Sequence, residues 1–294
     1  MTGGSIVAID LHIHSNYSDG TVAAADLPLL AAEKALKAVA LTDHDTTAGI
    51  AEFTACQSRF PDTELIAGVE LSTLCGAREL HIVGLFIDPQ NAELQTFMKN
   101  MQQGRIQRAN EMIEKLKTLN YIVSWDDLYE AGATADVPGR PHFARVLIKK
   151  YNFPDTATVF ERLLKRGAAG YVPRQLPEPA AAIKAIKAAG GTAVWAHPFH
   201  ARRNENNAIR RIIAGLKIAG LDAIEAYYSE YTPACTANAL KIAAEFKLAV
   251  SGGSDFHGEV HKDIHLGTGR GNLAVPDDIL AELRKAREPK AVLV

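Results

Sequence analysis

The chain has 294 residues, of which 47% are hydrophobic and 22% charged, the composition of an ordinary globular protein that can bury a large core. Its net charge of −2 argues against a protein that coats DNA or RNA, and we find neither a membrane-spanning apolar run nor a signal peptide. Its three cysteines are scattered without metal-ligand spacing, so we expect reduced thiols in a cytoplasmic protein.

Seven apolar runs follow one another along the chain and predict seven strands. The first begins at residue 6, and the others lie at 38–42, 65–69, 80–83, 192–196, 223–227 and 248–254. Helical segments separate most of them, such as 26–36 and 179–189. This repetition predicts an α/β fold, either a parallel barrel or a doubly wound sheet, with its chemistry at the carboxyl ends of the strands.

Candidate metal ligands lie at or near the ends of these runs. On the first strand, His12 and His14 are alternate residues and therefore share a face. The polar residues that follow in chain order are Asp19, Asp43, His44, Asp45, Glu70, His81, His197, Asp255 and His257. Burying six histidines and three carboxylates together without cations would be costly, so the set predicts a multinuclear metal centre. Nitrogen and oxygen donors without thiolate suit manganese, iron or zinc.

Several of these residues also have a purely structural interpretation. A single histidine beside an apolar run, such as His81 or His197, is often a hydrogen-bonded core residue. Glu70 could belong to a structural ion pair. Asp43 or Asp45 could cap a helix that begins at Thr46, and for Asp45 we weigh the cap and the site equally.

The segment between the fourth and fifth runs breaks the alternation of strand and helix. It predicts helices at 91–119, 125–130, 141–150 and 156–165. We interpret it as a small helical cap inserted into the barrel, which gives barrel segments 1–98 and 171–294 around a cap at 99–170. The cap has 12 basic and 8 acidic residues, a net charge of +4, against −6 for the rest. Such a basic module should attract anionic substrates.

Arginines of this segment are candidates for binding phosphate, because guanidinium groups bind phosphate bidentately. Arg105 and Arg108 are three residues apart and can share a helix face, and Arg140 stands at a helix start. Each could also be a solvated surface charge. Arg202 could reach the barrel mouth from the other side, and Tyr171 could stack on a base or be a packed hinge residue.

The motifs occur in a specific order that resembles a known family. They are Asp10 to Ser15 with Ser18-Asp19-Gly20, Thr42 to Asp45, Gly68 to Glu70, His81, Ala196 to Pro198, and Gly253 to His257. Together they closely resemble the motifs of the PHP (polymerase and histidinol phosphatase) phosphoesterases, a branch of the amidohydrolase superfamily. The resemblance implies a distorted seven-stranded (β/α)7 barrel and two to three divalent ions, with manganese favoured. The implied ligand sets are His12, His14, Glu70 and Asp255; Glu70, His81 and His197; and Asp19, His44 and His257.

The resemblance also implies an activity, the removal of the 3'-phosphate from nucleoside 3',5'-bisphosphates such as adenosine 3',5'-bisphosphate, by attack of a metal-bridging hydroxide. The expected catalytic residues are Asp19, His44, Glu70, His197, Asp255 and His257. The expected substrate-binding residues are Asp43, Arg105, Arg108, Arg140, Tyr171, His200 and Arg202, and His200 is also a candidate proton donor. The alternatives are a 5'-to-3' exoribonuclease on short 5'-phosphorylated RNA, a histidinol-phosphate phosphatase, and a non-catalytic PHP binding module.

Overall fold

A computed structural model describes residues 9–134, 136–200 and 205–287. Its strands are β1 (Ile9–Ile13), β2 (Ala38–Leu41), β3 (Glu64–Cys75), β4 (Arg78–Leu85), β5 (Thr192–Trp195), β6 (Ala223–Tyr228) and β7 (Ala249–Gly253). They form one seven-stranded sheet in sequence order. The two edges meet where the Asp255 N–H donates to the His12 carbonyl at 2.8 Å. The barrel is thus nearly closed, and the predicted seven-stranded α/β barrel is confirmed.

The expectation of parallel strands was wrong for β4, which is antiparallel to both of its neighbours. β3 and β4 form a hairpin in which Gly76, at φ +60°, and Ala77 make the turn. Because a parallel pair needs a crossover of about a dozen residues or more, so short a connection forces the antiparallel arrangement. As a result His81 reaches the site from the interior of β4 rather than from a carboxyl end.

The α-helices of the described residues surround the barrel or lie in the insertion. They are α1 (Leu27–Glu33), α2 (Ile50–Ala55), α3 (Ala92–Thr118), α4 (Trp125–Glu130), α5 (Arg140–Tyr151), α6 (Thr156–Val159), α7 (Pro179–Ala188), α8 (Asn206–Ile218), α9 (Pro233–Glu245) and α10 (Ile279–Ala286). β1, β2 and β5 are buried along their whole length, as strands covered on both faces are. Within the described ranges, no helix is both long and apolar enough to cross a membrane.

Helices α3 to α6 lie between β4 and β5, where the helical insertion was expected. The first turns of α3 bury Leu94 and Met98 in the apolar cluster that β3 to β6 form with α7, α8 and α9. Its last turns bury Met112 and Leu116 in a separate apolar cluster with the other helices of the insertion. Helix α3 therefore crosses the expected boundary at residue 98 without interruption, and the division at 98 and 170 stays a prediction.

Candidate metal centre and substrate cavity

The nine side chains expected to bind metal lie together at one mouth of the barrel, and we call them the ligand cluster. They fall into four overlapping groups whose ligand atoms lie within 4.8 Å of one another. The groups are His14, Asp19, His44 and His257; His12, Glu70 and His197; His12, His14 and Asp255; and His44, Glu70 and His81. Six different strands and the segments that follow them thus converge on one small volume.

Glu70 is at the centre of the ligand cluster and is 1% exposed. Its Oε1 lies 2.9 Å from His81 Nδ1 and 3.2 Å from His197 Nε2. Its Oε2 lies 2.9 Å from His44 Nδ1. Burial alone would raise the pKa of the Glu70 carboxyl, but His44, His81 and His12 hold that pKa well below its ordinary value. The carboxylate is therefore ionised and can be shared between two cations.

Several atoms of the ligand cluster are buried polar atoms that make no hydrogen bond with the residues that the structure describes, although some of them lie close to one another. They are His12 Nε2, His14 Nε2, Asp19 Oδ1, His44 Nδ1 and Glu70 Oε2. An unsatisfied buried polar atom costs about 1–3 kcal/mol, and more when it is charged. Nitrogen and carboxylate oxygen atoms that face one another in this way are suitable ligands for divalent metal ions. The donor set therefore fits the ions that the sequence predicts.

Two members of the ligand cluster have unusual backbone conformations. His197 has φ +34° and Asp255 has φ +58°, in a region that non-glycine residues seldom adopt. Before Asp255 the chain passes very close to β1, since a Cβ at Gly253 would lie 2.4 Å from the Cβ of His12. Only glycine fits at that position, so the Gly-Gly pair lets β7 bring Asp255 to the ligands of β1.

Asp43 supports the loop after β1 and does not line the substrate cavity described below. It is 2% exposed, and its carboxylate accepts bonds from the Ser15 N–H at 2.8 Å, the Ser15 hydroxyl at 2.6 Å and the Ser18 hydroxyl at 2.5 Å. The same loop continues to Asp19. The placement of Asp43 therefore indicates that it positions a candidate ligand, and it gives no support to the expected contact with substrate.

A cavity of about 300 Å³ opens beside the ligand cluster, a volume at the small end of the range for ligand pockets. Four members of the ligand cluster line it: Asp19, His44, His81 and His197. Four arginines also line it, and we call them the arginine wall: Arg105, Arg108, Arg140 and Arg174. The first three were expected from the sequence, and Arg174 was not.

Asp45 anchors two arginines of the wall, and its interpretation as a helix cap was wrong because α2 begins only at Ile50. Its Oδ2 accepts bonds from Arg105 Nε at 2.7 Å and from Arg174 Nη1 at 3.1 Å. Its Oδ1 accepts the Ser72 N–H at 2.9 Å. Burial would raise the pKa of the Asp45 carboxyl, but Arg105 and Arg174 lower it to about 2.

Replacing Asp45 by alanine should therefore destabilise the fold, because it leaves two largely buried guanidinium groups, 11% and 5% exposed, without their carboxylate. We expect the free energy of unfolding to fall by about 3–5 kcal/mol. Urea denaturation with a chelator present would measure the free energy of unfolding without a contribution from metal binding. Asp62→Ala, at an exposed aspartate, is the control, and a loss below about 1 kcal/mol in Asp45→Ala would contradict the anchoring role.

Arg108 shows that the wall has an excess of positive charge. Its Nε donates to the Val172 carbonyl at 2.8 Å, and its guanidinium lies 5.5 Å from the centre of the Tyr171 ring. Burial, followed by repulsion from Arg140 and Arg174, lowers the pKa of Arg108 to about 10. Cations that repel one another in a partly buried wall are stabilised when an anion binds between them.

Arg140 is the first residue of α5, and the start of that helix fixes its position. The Gly139 N–H donates to His142 Nδ1 at 3.0 Å. Burial lowers the pKa of His142 to about 4, so its ring is neutral and its Nδ1 can accept. The Arg140 guanidinium also lies 5.7 Å from the centre of the Phe160 ring. These contacts hold the arginine on a rigid element that lines the cavity.

The remaining expected substrate contacts have different placements. His200 lines the cavity, and its Nδ1 lies 2.7 Å from Glu230 Oε2. Tyr171 contacts Arg108 but is not among the described residues that line the cavity. Arg202 lies outside the described residues. The expected roles of these three residues stay predictions.

Sequence reasoning missed three polar residues beside the site. Arg174 and Glu79 line the cavity, and Glu79 Oε1 lies 3.7 Å from His81 Nε2. Glu225 lies behind the ligand cluster and is 2% exposed. A signal was present for Glu225, because it is the only charged residue in the predicted strand at 223–227. Residue type and spacing gave no comparable signal for Arg174.

Comparison with known proteins shows which family has this barrel and this arrangement of candidate metal ligands. A family model described as the PHP domain matches residues 10–166, more than half of the chain. A solved structure from Bifidobacterium adolescentis, named as a metal-dependent phosphoesterase, superposes with a TM-score of 0.84 at 28% identity, over 96% of this chain and 97% of that one. The chain belongs to the PHP family and is an enzyme, a metal-dependent phosphoesterase.

Two relatives of known name are similar over most of their length. A 3',5'-nucleoside bisphosphate phosphatase of Chromobacterium violaceum is 35% identical over 258 residues, which cover 87% of this chain and 90% of the relative. A 5'-3' exoribonuclease of Escherichia coli is 36% identical over 255 residues, which cover 85% of each chain. Both names denote hydrolysis at a phosphate of a nucleotide or of RNA.

Proposed function

We propose that this enzyme removes the 3'-phosphate from nucleoside 3',5'-bisphosphates and leaves the nucleoside 5'-phosphate. The observation that supports this most is the shared cavity, which is lined both by candidate metal ligands and by four arginines. A ligand with two phosphates can bind with one phosphate at the metals and the other at the arginines. The relative from Chromobacterium violaceum, which has this activity in its name, also supports the proposal.

The proposed metal sites use the whole ligand cluster, and Glu70 is shared between two of them. The proposed sets are His12, His14, Glu70 and Asp255; Glu70, His81 and His197; and Asp19, His44 and His257. When bound, divalent ions would activate water for attack on phosphorus and neutralise the phosphoryl oxygens. We favour manganese among the metals that nitrogen and oxygen donors bind, with iron and zinc as alternatives.

The protein's own groups would hold the part of the substrate that does not react. The arginine wall would bind the 5'-phosphate through charged hydrogen bonds, and Asp45 keeps two of its guanidinium groups in a fixed orientation. Binding of the 5'-phosphate by the arginine wall would place the 3'-phosphate at the ligand cluster, which lines the same cavity. His200 lines the same cavity and is the side chain that we propose to donate a proton to the departing 3'-oxygen.

The metal-replete protein should bind up to three divalent ions per chain, because nine donor side chains with Glu70 shared supply at least three donors for each ion. Elemental analysis after dialysis against buffered Mn²⁺ would count them. Chelation should lower the melting temperature, since ions that bind only the folded state stabilise it. Finding one ion or none under replete conditions would contradict the proposed centre.

The identity of the product tests the proposed orientation of the substrate. Adenosine 3',5'-bisphosphate should yield the 5'-monophosphate and inorganic phosphate, which chromatography separates from the 3'-monophosphate. Adenosine 3'-phosphate, which lacks the group for the arginine wall, is the matched substrate and should react with a much lower kcat/KM. Release of the 5'-phosphate, or equal rates on the two substrates, would contradict the proposal.

A second candidate function is 5'-to-3' exoribonuclease activity on short 5'-phosphorylated RNA, and the name of the relative from Escherichia coli favours it. The same wall would bind the 5'-phosphate, and the first internucleotide phosphate would lie at the ligand cluster. Comparing kcat/KM on a 5'-phosphorylated dinucleotide and on the bisphosphate decides between the two. Histidinol phosphate belongs in the same panel, although its one phosphate and cationic amine leave the arginines without a partner.

A further inference from the structure

Strand β6 contributes none of the nine side chains of the ligand cluster, yet it places a carboxylate directly behind them. Its sequence is apolar at Ala223, Ile224 and Ala226, and these side chains are fully buried. Glu225 lies between them and is 2% exposed. A buried carboxylate in an apolar strand is expensive unless it is paired, so its partners indicate why it is there.

Each carboxylate oxygen of Glu225 binds a different member of the ligand cluster. Oε1 lies 3.0 Å from the Nδ1 of His12. Oε2 accepts the backbone N–H of His197 at 2.7 Å. His12 and His197 belong to the same candidate group around Glu70, although they come from β1 and from the end of β5. One side chain therefore links ligands of the two neighbouring proposed metal sites that share Glu70.

The contact with His12 determines which ring nitrogen is available to a metal. A carboxylate oxygen accepts hydrogen bonds, so this contact favours the tautomer of His12 with the proton on Nδ1 and the free lone pair on Nε2. Nε2 is the atom that lies 3.4 Å from Glu70 Oε1 and 3.5 Å from Asp255 Oδ1. It is one of the buried atoms without a hydrogen-bond partner in the described part of the chain. Glu225 thus directs the lone pair of His12 into the ligand cluster.

The contact with His197 stabilises an unfavourable backbone conformation. His197 has φ +34°, which costs about 1–3 kcal/mol in a non-glycine residue unless the surroundings fix it. The charged hydrogen bond from its N–H to Glu225 is the kind of contact that can offset such a cost. The imidazole of His197 is then held with its Nε2 3.2 Å from Glu70 Oε1.

We infer that Glu225 is a positioning residue for the metal centre: it sets the tautomer of His12 and fixes the backbone of His197. This inference rests on the metal centre of the proposed function. Carboxylates that accept from a metal-bound histidine typically raise metal affinity by about 10–100-fold. The role concerns the sites that include His12 and His197, and it leaves the group of Asp19, His44 and His257 unaffected.

Glutamine at position 225 is a sharp test, because it has the shape of glutamate but only one side-chain oxygen. If that oxygen accepts from His12, the amide NH₂ faces the His197 N–H, and two donors meet. If it accepts from His197, the NH₂ faces His12 Nδ1 and favours the tautomer with its proton on Nε2, the nitrogen meant for the metal. Either orientation loses one of the two contacts.

The experiment measures Mn²⁺ binding by the full chain at buffered free metal concentrations, with competition by a chelator to obtain affinities. In Glu225→Gln we expect at least one ion to bind about 10–100-fold more weakly and at least one to keep its wild-type affinity. The control is Asp222→Asn, another buried carboxylate next to β6, which binds the Ala193 N–H at 2.9 Å and Lys187 at 2.8 Å, at a distance from the ligand cluster. It should bind all ions as the wild type does.

Each outcome has a defined meaning. Wild-type affinity for every ion in Glu225→Gln would overturn the inference, and so would an equal weakening in both variants, since that would reflect a general loss of stability. Melting temperatures in chelator show whether each variant folds. If glutamine prevents folding, Glu225→Asp keeps the charge with a shorter reach, and wild-type affinity there would also overturn the inference. A wild-type protein that binds no ion would refute the proposed function instead.

Discussion

Replacing Asp255 by alanine should nearly abolish turnover, with kcat lower by about three orders of magnitude or more, because a metal ion supplies several kcal/mol of transition-state stabilisation and each 1.4 kcal/mol is a factor of ten. Asp255 Oδ1 lies 3.3 Å from His14 Nε2 and 3.5 Å from His12 Nε2, so its loss opens the centre of the proposed first site. Since the ion stabilises charge that develops during reaction, the effect should be on kcat rather than on KM.

His12→Ala should behave in the same way, because it removes a donor from that site. Asp263→Ala is the matched control, an exposed aspartate that pairs with Arg270 at 2.7 Å. Steady-state kinetics over a range of Mn²⁺ concentrations, with circular dichroism to confirm folding, would separate a weakened site from a lost one. A kcat near that of the wild type in Asp255→Ala or His12→Ala would refute the proposed role of these ligands.

Replacing Arg140 by alanine should impair the bisphosphate selectively. The lost guanidinium contributes about 1.5–3 kcal/mol per charged hydrogen bond, so kcat/KM for adenosine 3',5'-bisphosphate should fall by about one to two orders of magnitude. A simple phosphomonoester has no second phosphate for the wall, and its slow hydrolysis should be almost unchanged. Added salt should weaken binding of the bisphosphate to the wild type, because the contact is between charges.

Arg140 is a cleaner probe than Arg105, although the sequence indicated both. The Arg105 guanidinium is bonded to buried Asp45, so its removal also leaves a carboxylate unpaired and lowers stability. Arg210→Ala on α8, which breaks an exposed pair with Glu245 at 2.9 Å, controls for the loss of an arginine elsewhere. If Arg140→Ala lost activity equally on every substrate, the arginine would act on the reacting phosphate and the two-phosphate proposal would fail.

The strands and the ligand cluster could be predicted because both have local signals. Buried strands appear as short apolar runs, and the histidines and carboxylates at or near the ends of most runs are visible without knowledge of the fold. The direction of β4 was harder to predict, because it depends on a tight turn in which Gly76 has φ +60°. Chain topology then determined that His81 reaches the site from within a strand.

The residues that support the metal ligands and the arginines could not be predicted, because their contacts join residues that are far apart in sequence. Asp45 and Arg174 are 129 residues apart, and only the folded barrel brings them together. Asp43 and Asp45 are nearly adjacent and chemically identical, yet one supports the loop after β1 and the other anchors arginines. Such roles depend on backbone direction at each residue, which composition and spacing do not specify.

Helix α3 connects the barrel to the insertion without a break. Its 27 residues begin in the apolar cluster between the barrel strands and the outer helices and end in the cluster of the insertion, whereas an opening lid usually turns on a few loop residues. We therefore expect Arg105 and Arg108, which lie on α3, to keep a fixed position relative to the barrel. Under the proposed function, we expect the two phosphates of a nucleoside bisphosphate to contact the ligand cluster and the arginine wall together, and a substrate with a shorter or longer linkage to lose one of these contacts. Under the same proposal, we expect substrate selectivity to depend on the distance between the two phosphates more than on the identity of the base.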